Sequence, residues 1–338
     1  IEKTYNEKHQ LESLTDPNGN TSYFQYDERG NICSMTDVAG YETRFEYDRR
    51  NNPIKAILPH GAEVKTNYDA KGRIKKTTDP LGRSYEYQYH QTGQPETILQ
   101  PDGSKMEMRF DKRGNILEIA DPSSAKIQYE YDALNRLVLL IDGNGNKTQF
   151  IYNKNNDVIK EINALGNSRE YHYNWNGKLI EAKEEDGYSY QWEYDEMNHP
   201  VKVIDKEGRE TLFEYNIMWD LCQKTDPNEA VTKYIYNKSR RLEKVISPEG
   251  GETQYQYDKN GNCIKQINPD GAEIYYYYDG LNRLVQTDYP DHSSDQIEYN
   301  YADKITKFID ANGGEYQMEY DSAGQKIKQI TPSGAITS

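Results

Sequence analysis

Long apolar runs, cysteine and clustered basic residues are all scarce in this sequence, and each scarcity closes off a class of protein. No run of about 18 apolar residues occurs, so no bilayer-spanning helix is predicted. The three cysteines, Cys33, Cys222 and Cys263, are too few and too scattered for a disulfide framework or a zinc site. Each stands where equivalent positions carry Leu, Ile or Val, so they read as small buried hydrophobes. Lys and Arg number 41 against 56 Asp and Glu, a net charge of −15, which argues against nucleic acid or anionic membranes as partners. Low hydrophobicity with this charge is otherwise a signature of disorder, yet disordered chains lack aromatics and this one has 31 tyrosines. An ordered sheet with one packed face and one wet face reconciles the two. The chain starts at Ile1 without an initiator Met and reads as a slice of a larger protein, so its lack of a targeting segment carries no information.

What is present is a repeat. A Tyr-Asp or Tyr-Asn pair recurs at a spacing of 21 residues through about 16 registers without insertion or deletion, with a Phe or a His standing in at two of them. Its aromatics after Tyr5 are Tyr26, Tyr47, Tyr68, Tyr89, Phe110, Tyr131, Tyr152, Tyr173, Tyr194, Tyr215, Tyr236, Tyr257, Tyr278, Tyr299 and Tyr320. The averaged unit, Y-D-x-x-G-N-L-x-x-I-T-D-P-x-G-x-x-T-x-Y-x, holds two turn signals and two extended stretches. In "TDPLGRS" (78–84), Asp79 opens a type I turn, Pro80 fixes φ and Gly82 closes it. In "YDERGN" (26–31), Asp27 is placed to bond its own downstream backbone, and Gly30 takes the positive φ of a bulged hairpin loop. Gly or Asn fills that last position in twelve of the sixteen repeats; His9, Trp219, Arg240 and Asp303 are the exceptions, where a distorted turn is expected.

The strand entering each Tyr-Asp pair alternates: in "SYEYQYH" (84–90), Tyr85, Tyr87 and Tyr89 share a face opposite Glu86 and Gln88. The other strand alternates less cleanly. Its middle residue is Lys in half the repeats, read as the wet face and a guard against edge pairing. Within "IYYYYDGLNRL" (274–284), Tyr276 and Tyr278 therefore fall on the packed face. Tyr275 and Tyr277 occupy registers that elsewhere hold Gln, Glu or Lys. The fold class is all-β: tandem 21-residue β-hairpins in a curved or spiralling antiparallel ribbon, with connections too short for parallel crossovers. Aromatics lined up from repeat to repeat are expected to add roughly 0.2–1 kcal/mol per pair. A flat ribbon of this many strands would run ~150 Å, and strand twist forbids flatness.

The unit "YDERGNICSMTDVAGYETRFE" and its fellows resemble the Rhs or YD repeat over essentially the whole chain, residues 1–338, read as one uninterrupted, uncapped array. That resemblance implies a hairpin ribbon forming part of a hollow shell. In bacterial Rhs toxins and insecticidal toxin-complex components such a shell encloses a C-terminal toxin, and in teneurins it serves adhesion. A closed shell uses more repeats than these, and the family's self-cleavage motif is not visible here.

The implied role is a structural, non-enzymatic wall segment in a secreted or surface-displayed bacterial protein, whose partner is the rest of its own polypeptide including a toxin domain. The alternatives are an adhesive or carbohydrate-binding surface and a fibre-forming array. No G-x-S-x-G, H-E-x-x-H, P-loop or C-x-x-C motif occurs, and no catalytic, cofactor or metal site is expected. His9, His60, His90, His172, His199 and His292 fall in different registers and read as surface residues. "DGNGNK" (142–147) lacks the Gly and the bidentate Glu of a calcium loop. Tyr23, Tyr275 and Tyr277, aromatics at polar registers, are the candidate ligand-facing residues, with cell-surface glycans as the possible ligand. Plain strand propensity, with the hydroxyl tolerating water, is the simpler explanation for them. Trp175 and Trp219 lie near turns.

Overall fold

Both turn types fold into the same local structure, and that sameness sets the architecture. In the Tyr-Asp turn, Asp27 N donates to Asn31 O at 2.9 Å and Gly30 N to Asp27 O at 3.1 Å. In the Asp-Pro turn, Asp79 N donates to Arg83 O and Gly82 N to Asp79 O, both at 2.9 Å. The opening carboxylate adds the side-chain bonds: Arg29 N and Asn31 N donate to Asp27 Oδ1, and Asn31 Nδ2 to Asp27 Oδ2. Each turn therefore reverses the chain in five residues with its polar backbone satisfied.

A computed structural model describes residues 1–123 and 125–337. Among the described residues there are 33 strands in one open sheet, plus one 3₁₀ turn at Pro59–Gly61. Contacts group the chain into two units. Unit 1 comprises Ile1–Ser84, Tyr236–Val245 and Gly251–Ser338; unit 2 comprises Tyr85–Ile235 and Ile246–Gly250. In each unit the strands pair antiparallel with their sequence neighbours. In unit 1, Thr21–Tyr26 pairs with Ile32–Thr36 and that strand with Glu42–Tyr47. In unit 2, Lys126–Tyr131 pairs with Leu137–Ile141 and that strand with Lys147–Tyr152. Each Tyr-Asp hairpin whose pairing is described carries a register shift beside its aromatic, whereas the described Asp-Pro hairpins carry none: Gln25 faces Ser34, but Tyr26 faces Ile32, leaving Cys33 as the extra residue. Such bulges increase local twist.

Faces alternate as the sequence predicts. In Glu273–Tyr278, Tyr276 and Tyr278 are half-buried while Tyr275 and Tyr277 are exposed. What the fold lacks is a core. Ala182 is the one buried hydrophobic residue among those described, and no side chain is fully enclosed. The accessible surface is 21357 Å², against ~14,000 Å² for a globular chain of this mass.

Three expectations need correction. The turns at His9, Trp219, Arg240 and Asp303 are not distorted. These residues take φ of 60°, 64°, 59° and 58° and keep the closing bond at 2.9–3.2 Å. They accept roughly 1–2 kcal/mol of left-handed strain instead, because the flanking ladder dictates the turn. The register aromatics also do not pair with each other: an intervening strand separates them, and most face an aliphatic residue or proline such as Leu137 or Pro53, with Cys263 opposite Tyr257 and Lys326 opposite Tyr320. Finally, the three cysteines are half-buried rather than buried, since a single layer offers nothing deeper.

Candidate functional site: turn edges and the tyrosine run

The register tyrosines do more than pack. Tyr26 Oη donates to Leu11 O at 2.9 Å, fifteen residues back in the preceding hairpin. The same hook recurs from Tyr47, Tyr68, Tyr152, Tyr173, Tyr194, Tyr215, Tyr257, Tyr278, Tyr299 and Tyr320. It satisfies the carbonyl of the first residue of each five-residue strand, next to the bulge, at about 1 kcal/mol net per bond. Phe110 has no hydroxyl to offer Pro95 in this way. The hook was missed in the sequence, although its signal, Tyr rather than Phe in nearly every repeat, was there to be read.

On the wet face the recurring lysines are clamped by acids on adjoining strands. Lys265 Nζ lies 2.7 Å from Glu273 and Lys202 Nζ 2.6 Å from Glu210. Tyr275 joins one clamp: Lys265 Nζ sits 5.0 Å from its ring centre, and its hydroxyl donates to Glu273. The Asp288 carboxylate that accepts the Tyr277 hydroxyl raises that phenol above its ordinary pKa. The two rings are 37 % and 46 % exposed. They border a groove of about 480 Å³ in unit 1 lined also by Asn18, Asn20, Asp258, Ile264 and Gly280. Tyr23, 54 % exposed, faces Ser13 and is not among the residues lining that groove. Trp219 stacks on His199 at 4.9 Å, and His60 packs against Tyr41 and Tyr301, so these histidines are ring partners as well as surface residues.

The groove lies beside a contact between repeats far apart in sequence. Inside unit 1, Asp-Pro turns of the first repeats meet Tyr-Asp turns of the last ones. Asn18 Nδ2 donates to Asp258 at 2.9 Å, Asn260 Nδ2 to Asp16 at 2.6 Å and Arg83 Nη1 to Gln325 at 2.8 Å. A Cβ added to Gly280 would stand 3.2 Å from the Val38 methyl. The paired residues lie 240–244 apart, eleven and a half repeats, the half-repeat arising because the two turn types sit on opposite edges. Partial burial, the largest single influence, works to raise the Asp16 pKa. Hydrogen bonds from Asn20, Asn260 and the backbone nonetheless hold its carboxyl at about 2.

Among the described residues no group of His, Cys, Asp or Glu is placed to hold a metal, and no helix is long and apolar enough to cross a membrane. The arrangement offers turn edges that meet within unit 1 and exposed rings beside a groove.

Comparison with known proteins bears on the fold. The family model described as Teneurin YD-shell matches residues 5–126, and that described as RHS Repeat matches 110–147 and 257–294. No curated protein sequence matches the chain. A crystal structure of TcdB2-TccC3-TEV is similar with a TM-score of 0.56 and 13% identity, covering 98% of this chain and 24% of that one. The Photorhabdus luminescens Tc holotoxin pore gives 0.55 and 16%, covering 99% of this chain and 19% of that one. At such identities the likeness speaks for the fold. The chain spans a quarter or less of the length of these structures.

Proposed function

We propose, from the premise that this chain is a run of Rhs/YD repeats, that it is a stretch of shell wall enclosing a toxin domain carried further along the same polypeptide. Support comes above all from a single-layer sheet, without a core, whose opposite turn edges meet inside unit 1. That is how a wall gains height: by edge contact, not by a second layer. A wall needs no catalytic residue, and its export to the cell exterior follows from the same reading. Intact mass and limited proteolysis of the full-length protein test it. The expected result is a severed C-terminal fragment that stays bound and resists protease until the shell unfolds. An uncleaved protein without a protected fragment overturns it.

A second reading, glycan binding in surface adhesion, is favoured by one observation: the exposed Tyr275 and Tyr277 rings beside the groove. Rings clamped at their hydroxyls still offer a face to a sugar. Binding on a glycan array that is lost when both are changed to Gln supports it; no binding, or binding unchanged by the substitutions, removes it.

A further inference from the structure

The groove beside Tyr275 and Tyr277 is one of a series, and its differences from the others say what it would hold. A groove of about 510 Å³ lies one repeat earlier, bordered by Asn237, Arg241, Glu243, Gln256, Asp258 and Lys259 among others. Another, about 440 Å³, includes Asp48, Arg50, Ile54, Asn67 and Asp69, and one of about 560 Å³ in unit 2 includes Asn153, Ile159 and His172. The repeat thus forms a groove beside its Tyr-Asp turns whatever side chains line it. In the groove of the tyrosine run, Ile264 stands where the neighbour has Glu243, Tyr277 where it has Gln256 and Gly280 where it has Lys259. No Lys, Arg or His is among its described lining residues. Lys265, next in the chain to Ile264, is held by Glu273 at 2.7 Å.

The polar atoms of this groove are of one kind. The Asp258 carboxylate is filled: Gly261 N and Asn262 N donate to Oδ1, and the Asn18 and Asn262 side-chain amides to Oδ2. Asp279 Oδ1 takes Leu281 N and Arg283 N, and its Oδ2 takes the Arg283 guanidinium. A carboxylate only accepts, so Asn18 and Asn20, whose NH₂ groups donate to Asp258 and Asp16, have their amide orientation fixed. Their carbonyl oxygens are the acceptors that remain, and among the described residues no donor reaches either. The phenols of the run are committed as well, to Glu273, Gln266, Asp288 and the Cys263 carbonyl. A ligand therefore meets ring faces, the Ile264 side chain and two amide oxygens, in negative surroundings. We infer that this groove is a subsite for uncharged pyranose units and excludes sugars carrying carboxylate, sulfate or phosphate. The C–H face of the sugar packs on the exposed rings, and its hydroxyls donate to the Asn18 and Asn20 oxygens. An acidic group would leave water with no cation lining the groove to meet it, a cost that nothing offsets. Its volume, about 480 Å³, lies within the ~300–1,000 Å³ common to small-ligand sites.

This inference rests on the glycan-binding reading and names the class of sugar. An array carrying neutral oligosaccharides beside their sialylated, uronic and sulfated forms tests it, probed with the full-length protein. High salt screens the general repulsion between an acidic protein and an acidic glycan, so the comparison then reports the groove. Only neutral forms are expected to bind. Their signal should fall about tenfold in the double variant Ile264→Glu, Tyr277→Gln, which restores the residues of the neighbouring groove, Glu243 and Gln256. Ile264→Lys places a cation in the groove, as Lys75 stands at the same register of another repeat, and should admit acidic forms. A gain of that kind cannot come from misfolding. Acidic forms bound by the unaltered protein as strongly as neutral ones, with the signal lost in the double variant, overturn the inference and leave glycan binding standing. Neutral binding that the double variant leaves unchanged removes the groove as the site. No glycan bound at all removes the reading and the inference together.

Discussion

Two turns with nearly the same sequence show how little of this molecule's stability is local. "YDALNRL" (131–137) lies in unit 2 and "YDGLNRL" (278–284) in unit 1. Inside the turn they are alike. Arg136 Nε reaches Asp132 at 2.7 Å as Arg283 Nε reaches Asp279, and each guanidinium lies 4.7 Å from the ring centre of the next register tyrosine. Asn135 and Asn282 share φ near 60°. The surroundings differ. Leu281 is half-buried and Gly280 abuts Val38, whereas Leu134 is 67 % exposed. The repeat makes the turn, and the neighbouring edge decides whether it is part of an interior.

The largest expected effect separates the two directly. Gly280→Leu drives a side chain into Val38 and Asn20 and should cost about 1–3 kcal/mol in urea unfolding. Ala133→Leu at the equivalent bare turn should fall within about 0.5 kcal/mol of no change. Equal costs would break the comparison. The tyrosine hook should not distinguish the units: Tyr152→Phe and Tyr299→Phe each lose one bond to the preceding hairpin and about 1 kcal/mol. Phe110→Tyr should recover up to about 1 kcal/mol, read as a rise in Tm, by bonding Pro95.

Smaller still, His9→Gly relieves a left-handed φ of 60° at an exposed turn and should add about 1 kcal/mol. Trp219→Gly should gain less, because it also loses the stack on His199. The smallest effect lies in acid. A depressed carboxyl adds stability above its unfolded pKa and loses it as pH falls through the folded value. For Asp16 that window runs from the ordinary 3.8 down to about 2. Asp142 is also lowered, chiefly by the Asn146 side chain within its own turn. Asp16→Asn should therefore flatten the acid limb of the stability profile and weaken the edge contact, whereas Asp142→Asn should do only the first. Circular dichroism melts between pH 5 and pH 2 follow both.

Hairpins, turn positions and the alternation of faces were legible because each is encoded within 21 residues, by Asp, Gly and period-two patterning. The hook was legible only as a preference for Tyr, since the accepting carbonyl carries no sequence mark. The left-handed turns at Trp219 and Arg240 were misread because tertiary pairing overrides local preference there. The edge contact was hidden altogether. Asn18 meets Asp258 across 240 residues, and no repeat-averaged pattern records which turn meets which. For the same reason Tyr275 and Tyr277 were legible as misplaced aromatics, but the groove beside them was not.

Hydrogen exchange on the 338-residue chain tests the account most directly. Turns 258–262 and 279–283 share their two backbone closing bonds with 132–136 and 216–220, and 279–283 and 132–136 share the side-chain bonds as well, so a difference between those two reports their surroundings. The account requires the first pair to exchange more slowly than the second. Equal rates at all four would mean that the opposed edges in unit 1 hold nothing together.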